Sequence, residues 1–302
     1  MSMRVDELKR VLTGVLAVSG VFVLIFSANA RAGKQLAVFV SIPPQKYFVQ
    51  QIGKERVNVQ VMVRPGASPA AYEPRPRQMA AISKAQIYFA IGVAFEKTWL
   101  GKIAASNPEL RVVHTDHGIQ KIPMAAHHHD AEHHPEKERQ GAPDPHIWLA
   151  PTLVMTQART IVNALVEIDP AHRSVYEANT RAFVAELAAL DADLRNSFAD
   201  RQGRQFMVFH PAWGYFAHYY GLQQVPVEIE GKDPKPAQLK ELIEHARENH
   251  IKVIFVQPQF SSKSAKLVAK EIDGQVVVAD PLASDWSINL REVARKMKKA
   301  LN

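Results

Sequence analysis

Three side chains that can bind a metal ion stand beside prolines in this sequence. His146 ends an Asp-Pro-His triplet, His210 precedes Pro211, and Asp280 precedes Pro281. A residue before proline is confined to extended backbone, which helps to fix the direction of the His210 and Asp280 side chains. Two imidazoles and one carboxylate suit Zn²⁺, Mn²⁺ or Fe²⁺, and imidazole favours the later metals. Their spacing allows the three residues to converge but does not by itself require it.

Five more histidines lie close together in a polar, charged segment that offers no apolar face, residues 121–143. They are His127, His128, His129, His133 and His134. Such a composition predicts a surface loop without regular structure. Imidazoles on a flexible loop can bind Zn²⁺, Cu²⁺ or Ni²⁺ weakly and exchange it quickly, so we expect an auxiliary metal-capture segment. The alternative is a merely solvated polar loop.

The elements that must position these residues alternate between strand and helix patterns along the chain. This rhythm predicts an α/β fold made of two βα lobes with mostly parallel central sheets, joined by one long rigid helix. His210 and Asp280 directly follow predicted strands at residues 205–209 and 275–279. Ligands of open α/β sheets bind beyond the carboxyl ends of the strands, where these two residues should lie.

The predicted organisation divides the chain into four parts. Residues 1–32 combine a basic start, a short apolar run and small residues, which indicates a secretory signal peptide and a periplasmic location. A single membrane anchor is the alternative, because the run approaches the length of a spanning helix. An N-terminal lobe at 33–169, a linking helix at 170–201 and a C-terminal lobe at 202–302 follow.

Composition excludes several classes of protein. The chain has no cysteine, which rules out disulfides and a lipid anchor on cysteine. Its formal charge of +7 comes from scattered basic residues, and no nucleic-acid-binding motif is present. We therefore expect no nucleic acid partner.

Four ordered motifs carry a resemblance to a known family. They are RPGASP followed by YEP (residues 64–74), DPHIWLAP (144–151), HPAWGYF (210–216) and VADPL (278–282). The chain resembles the zinc/manganese periplasmic solute-binding proteins of metal ABC importers over essentially all of its mature length, and the His-rich loop resembles the zinc-type members. The resemblance implies that a single divalent ion, zinc by preference, binds between the lobes to His146, His210 and Asp280. It also implies a monomer that delivers the ion to an inner-membrane permease and is not an enzyme.

One position departs from the family pattern. The family's first ligand is a histidine directly after the proline of the Gly-x-x-Pro loop, and here that position is Ala70. The missing ligand can be replaced by Glu73 in the same loop, by water, or by a histidine of the mobile loop; Glu73 can equally be a solvated loop charge.

Other functions remain open from the sequence. A manganese-specific binding protein, a periplasmic zinc chaperone or buffer, and a metal-dependent hydrolase all use similar ligands. The stretch at residues 228–232 (EIEGK) is predicted to be a surface turn without a ligand role.

Overall fold

A computed structural model describes residues 35–125, 142–229 and 231–301 of the chain. The predicted signal peptide at 1–32 and the five loop histidines, His127, His128, His129, His133 and His134, lie outside these residues. No helix in the described part of the chain combines the length and the apolar character needed to cross a membrane.

Two four-stranded sheets, both entirely parallel, form the framework and confirm the predicted α/β class. The N-terminal sheet has the order β2-β1-β3-β4, with strands at Leu36–Val40 (β1), Val57–Val61 (β2), Ile87–Ala90 (β3) and Arg111–His114 (β4). The C-terminal sheet repeats this order as β6-β5-β7-β8, with strands at Gln205–Val208 (β5), Gln223–Pro226 (β6), Val253–Val256 (β7) and Gln275–Val278 (β8). Every residue of β3 and β7 is buried, as expected for inner strands covered on both faces.

Helices connect and cover these strands. In the described residues they are α1 (Pro43–Gly53), α2 (Pro76–Ile82), α3 (Ala94–Ser106), α4 (Pro151–Ile168), α5 (Arg173–Phe198), α6 (Gly214–Tyr220), α7 (Pro236–Glu248), α8 (Lys263–Glu271) and α9 (Trp286–Ala300). Several begin with proline at the first helical position, where its missing N–H costs nothing.

The long helix α5 runs between the two sheets in sequence. Its buried residues recur every three or four positions and form one apolar stripe: Tyr176, Thr180, Phe183, Leu187, Leu190, Leu194 and Phe198. The predicted helix at 170–201 begins instead with a separate 3₁₀ turn at Pro170–His172, and α5 itself spans 26 residues. At 1.5 Å per residue its length is about 39 Å.

One hydrophobic core joins parts of the chain that are far apart in sequence. Phe48 of α1 meets Phe183 of α5 and Trp286 of α9, with ring centroids 6.1 Å and 5.1 Å apart. The last helix therefore packs back against the first, which ties the C-terminal end of the chain to the N-terminal sheet. A second, smaller core belongs to the C-terminal sheet alone.

The edge strand β6 occupies Gln223–Pro226 and so begins two residues before the apolar residues at 225–229. Just after Pro226, the Val227 N–H donates to the Val208 carbonyl at 2.7 Å, and the Glu228 N–H donates to the Phe209 carbonyl at 3.0 Å. β6 is an edge strand, so it tolerates a proline and the polar Gln223 and Gln224. The first two residues of β6 therefore carry no apolar signal.

Candidate metal-binding site

A cavity of about 140 Å³ collects residues from both halves of the chain. Its lining comes from the loop after β2, the start of α3, the Asp-Pro-His segment, and the loops that follow β5, β7 and β8. His146 and His210 both line it. The cavity thus lies where the carboxyl ends of parallel strands were expected to bring ligands together.

His146 is held by the aspartate two residues before it. The Asp144 carboxylate oxygen Oδ1 accepts the His146 backbone N–H at 2.8 Å and faces the ring nitrogen Nδ1 at 2.7 Å. Asp144 is fully buried and its Oδ2 has no hydrogen-bond partner in the described structure. This local turn fixes both the backbone and the ring of His146.

Tyr215 and Gly214, from the HPAWGYF motif, surround Asp144. The Tyr215 hydroxyl donates to the Asp144 carbonyl at 3.0 Å and accepts the Ile122 N–H at 3.2 Å. Burial raises the pKa of Tyr215 to about 12, so the hydroxyl stays protonated and able to donate. A Cβ at Gly214 would lie 2.6 Å from Asp144 Oδ2, so this close approach requires glycine.

His210 is held from two directions at the end of β5. The Gln257 side chain accepts the His210 N–H at 3.1 Å and donates to the His210 carbonyl at 2.7 Å, which fixes the backbone. Glu228 Oε1 lies 2.7 Å from His210 Nδ1 and fixes the ring. Phe260 stacks on the imidazole, with centroids 4.7 Å apart.

Glu228 corrects the interpretation of residues 228–232 as an exposed turn. A turn does form, since Ile229 and Lys232 pair across it, but the Glu228 side chain is buried beneath His210; Glu230 lies outside the described residues. The sequence offered no signal for this contact, because the partners are 18 residues apart and meet only through the pairing of β5 with β6.

The two histidines meet in the cavity. Their ring centroids are 5.3 Å apart and the rings are inclined at 71°. An ionised carboxylate can only accept a hydrogen bond, so a neutral imidazole paired with it through Nδ1 carries its proton there and has its lone pair on Nε2. A carboxylate behind a metal-binding histidine fixes the tautomer and makes the ring a stronger ligand.

Asp280 lies beside the same cavity but apart from the histidine pair. Its Oδ1 accepts the Gln259 Nε2 at 2.8 Å and the Leu282 N–H at 2.9 Å, and both partners line the cavity. Across residues 35–125, 142–229 and 231–301, no three His, Cys, Asp or Glu side chains are grouped closely enough to hold a metal ion. The structure therefore brings two of the expected ligands together and leaves the third hydrogen-bonded to Gln259.

Ala70 lines the cavity at the position where the resemblance places a histidine. Glu73, three residues further on, is exposed and is not among the lining residues. Its neighbour Tyr72 points inward, packs on Phe95 at 5.8 Å between ring centroids and donates to Gln78 at 2.7 Å. The alternation of buried and exposed positions in this loop turns Glu73 towards solvent.

Two tryptophans connect the walls of the cavity. The Trp148 Nε1–H donates to the Pro281 carbonyl at 2.7 Å, and the Trp286 Nε1–H donates to the Trp148 carbonyl at 2.7 Å. Both indoles are buried. The segment that carries His146 is thereby fastened to the segment that carries Asp280.

Comparison with known proteins extends over nearly the whole described chain. Residues 38–300 match the family model ZnuA, described as zinc-uptake complex component A, periplasmic. The high-affinity zinc uptake system protein ZnuA of Bacillus subtilis (strain 168) is 30% identical over 260 residues, covering 85% of this chain and 81% of that protein. The iron-binding protein YfeA of Yersinia pestis is 30% identical over 267 residues, covering 86% and 81%.

Solved structures agree with the fold. A crystal structure of ZnuA is 44% identical, covers 89% of this chain and 100% of that chain, and superposes with a TM-score of 0.83. A crystal structure of a ZnuA deletion mutant with zinc bound is 43% identical, covers 89% and 99%, and has a TM-score of 0.81. Two parallel sheets and a long intervening helix are thus common to these molecules.

Proposed function

Because this chain belongs to the ZnuA family of periplasmic zinc-uptake components, we propose that it binds one divalent metal ion, zinc by preference, in the periplasm. It delivers that ion, as a single chain, to an inner-membrane ABC permease. The protein captures and releases its cargo without chemical turnover. The names of its relatives, which describe zinc uptake and iron binding, support a transport role over hydrolysis.

The observation that carries this proposal is the pair of imidazoles in one cavity. His146 and His210 come from different parts of the chain, and a buried carboxylate holds the Nδ1 of each ring. Both rings line the same cavity. Two oriented Nε2 atoms are the donors that zinc uses most readily.

Asp280 is the third ligand in this proposal. Its carboxylate is tied to Gln259 and to the Leu282 N–H through Oδ1 alone, so metal binding can use Oδ2 or replace the Gln259 bond. Glu73 is the weakest member of the expected set, because the loop directs it to solvent.

Zinc is preferred to manganese because two of the three ligands are imidazoles, and affinity for such nitrogen ligands rises towards the end of the first transition row. Because one relative is named an iron-binding protein, the preferred metal should be tested by competition between metal ions. If Mn²⁺ displaced Zn²⁺ at equal concentration, the zinc assignment would be wrong.

The five histidines at 127–134 act in this proposal as an auxiliary, lower-affinity capture segment. A segment with the composition predicted to lack regular structure loses conformational entropy when it binds a metal ion, which lowers its affinity relative to the cavity.

The first experiment is calorimetric titration of zinc into metal-stripped mature protein. His210→Ala should lower the affinity at least about 100-fold, since it removes a ligand together with its oriented lone pair. His218→Ala is the matched control, because His218 is an exposed histidine on α6. A third variant lacks residues 126–135.

The variants separate the possible outcomes. A tight binding event that is lost in His210→Ala and kept in the loop deletion supports the cavity as the primary site. If the tight event disappears with the loop and persists in His210→Ala, the cavity proposal is wrong. Zinc-dependent growth of a deletion strain distinguishes a permease partner from a chaperone: normal zinc uptake with a failure to load one enzyme favours the chaperone.

A further inference from the structure

The cavity supplies too few ligands for a bare zinc ion. His146, His210 and Asp280 give at most three donors, whereas zinc usually takes four, and Ala70 stands where the loop after β2 faces the cavity. No Asp, Glu, Lys or Arg is found among the described lining residues. The coordination sphere must be completed by something that the described chain does not contribute.

The open space is larger than one water molecule requires. A site for a single water molecule needs a volume of roughly 10–15 Å³. The volume of this cavity, defined in the same way, is about 140 Å³. Most of its lining is apolar: Pro69, Ala70, Val93, Ala94, Met124, Pro145, Trp148, Phe260, Pro281 and Leu282. The polar side chains of the lining are Ser68, His146, His210 and Gln259, so the cavity pairs a mostly apolar wall with a few polar groups. A space of this size and composition suits a small ligand that has both a carbon skeleton and polar atoms.

One polar atom of the lining points to the chemistry of that ligand. Gln259 Oε1 is buried and has no hydrogen-bond partner in the described structure, while the Nε2 of the same side chain donates to Asp280. A buried amide oxygen without a partner is costly, and an incoming N–H group would satisfy it. An amine or imidazole N–H beside the metal ion meets this requirement.

We propose that the cargo of this site is a divalent metal ion that carries one chelator of amino-acid size. The inference rests on the proposed function and specifies its substrate. Nitrogen and oxygen atoms of the chelator fill the coordination positions that Ala70 leaves open, an N–H donates to Gln259, and the carbon skeleton packs against the apolar wall. A neutral or singly charged chelator is required, because no Lys or Arg of the described lining neutralises a polycarboxylate.

The test uses free L-histidine as the chelator, since it carries both an amine and an imidazole. Zinc is titrated into the metal-stripped full-length mature protein with and without one equivalent of L-histidine per zinc. Because L-histidine itself binds zinc, each dissociation constant is calculated from the concentration of unbound zinc. Equilibrium dialysis with labelled L-histidine then measures how much amino acid the protein retains. The wild-type protein should bind zinc at least about tenfold more tightly with L-histidine present and retain one L-histidine per zinc.

The Ala70→His variant should abolish the gain in zinc affinity that L-histidine gives the wild-type protein. It supplies a protein imidazole where the chelator would bind and also occupies part of the cavity. This variant should bind zinc alone tightly and lose the retained L-histidine. Citrate should give the wild-type protein no gain in affinity.

Two results overturn the inference. One is equal affinity for zinc with and without L-histidine in the wild-type protein, and the other is zinc-dependent binding that retains no labelled L-histidine. In either case a loss of zinc binding in His210→Ala would leave the proposed function standing. If His210→Ala bound zinc as tightly as the wild-type protein under both conditions, the proposed function itself would fail.

Discussion

The two sheets have the same strand order, and a buried polar group follows the corresponding central strand in each. After β1, the Gln45 side chain accepts the N–H groups of Ser41 and Ile42 at 3.0 Å and 3.3 Å. After β5, the Gln257 side chain accepts the His210 N–H and donates to its carbonyl. In both sheets a glutamine amide fastens the loop that leaves the central strand.

The polar groups beyond these loops differ. In the N-terminal sheet, Ser41 Oγ contacts the Tyr88 hydroxyl at 2.8 Å and donates to Glu96 Oε1 at 2.5 Å, and Glu96 also accepts the Ile91 and Gly92 N–H groups. This network satisfies its own members. In the C-terminal sheet, the His210–Glu228 pair leaves one imidazole nitrogen facing a cavity. The same strand framework therefore carries two kinds of polar group. Those of the N-terminal sheet are paired with one another and stabilise the fold, whereas the imidazole of the C-terminal sheet faces a cavity and can bind a ligand.

The largest expected effect is a loss of zinc affinity when the carboxylate behind His210 is replaced. Glu228→Leu should weaken zinc binding by about 100-fold and Glu228→Gln by about tenfold, because glutamine still accepts the His210 Nδ1–H but lacks the charge. Glu248→Gln, an exposed acid on α7, is the control for calorimetry. Nitrogen-15 spectra of the imidazoles should show a mixture of tautomers at His210 only in Glu228→Leu. Unchanged zinc affinity in both Glu228 variants would remove the distinction between the networks.

The N-terminal network should respond in stability instead. Ser41→Ala leaves the Tyr88 hydroxyl and the Glu96 carboxyl with one partner fewer in a buried setting, which should cost about 1–3 kcal/mol of unfolding free energy. Zinc affinity should stay within about twofold. Denaturant unfolding measures the first quantity, with Ser83→Ala as an exposed control. A loss of affinity comparable to that in Glu228→Gln would show that both networks serve the metal.

A smaller effect concerns pH. Burial raises the pKa of Glu96, against the hydrogen bonds from Ser41 and the Ile91 N–H. The native state therefore holds a proton that the unfolded chain releases first as pH rises. Stability should fall with rising pH between the unfolded and the folded pKa of this carboxyl, by at most about 1.4 kcal/mol per pH unit.

Glu96→Gln should remove that slope, while Glu109→Gln, an exposed acid, should keep it. Asp116, which also raises the Glu96 pKa, is paired with Lys121 at 2.6 Å and is unchanged in both variants. Denaturant midpoints across the acidic range provide the measurement. An identical slope in wild type and Glu96→Gln would assign the pH dependence to another group.

The smallest expected effect concerns the stacking of Phe260 on His210. Phe260→Leu removes the ring that stacks on His210 and should cost about 0.5–1.5 kcal/mol of zinc-binding free energy, less than Glu228→Leu. Calorimetry at constant pH compares the two variants. A larger loss in Phe260→Leu than in Glu228→Leu would mean that stacking, rather than the carboxylate, orients His210.

The sequence predicted most of the fold because its inner strands are continuous apolar runs and α5 carries a helical stripe. It also placed His210 and Asp280 after strands. It could not reveal Glu228 behind His210, or the bond from Gln259 to Asp280, because these contacts depend on how separate loops fold against each other. The start of the edge strand β6 carries no apolar signal, because Gln223 and Gln224 are polar and Pro226 interrupts the alternation.

The tryptophan contacts also bear on how quickly cargo can leave. Trp148 donates a hydrogen bond to Pro281, and Trp286 donates one to Trp148. Separating the His146 and Asp280 segments would break these two buried hydrogen bonds and expose two indoles to water. These contacts oppose separation of the two segments. We therefore expect the residence time of a bound metal ion to depend on the other lining loops, such as those that bear Ala70 and Phe260.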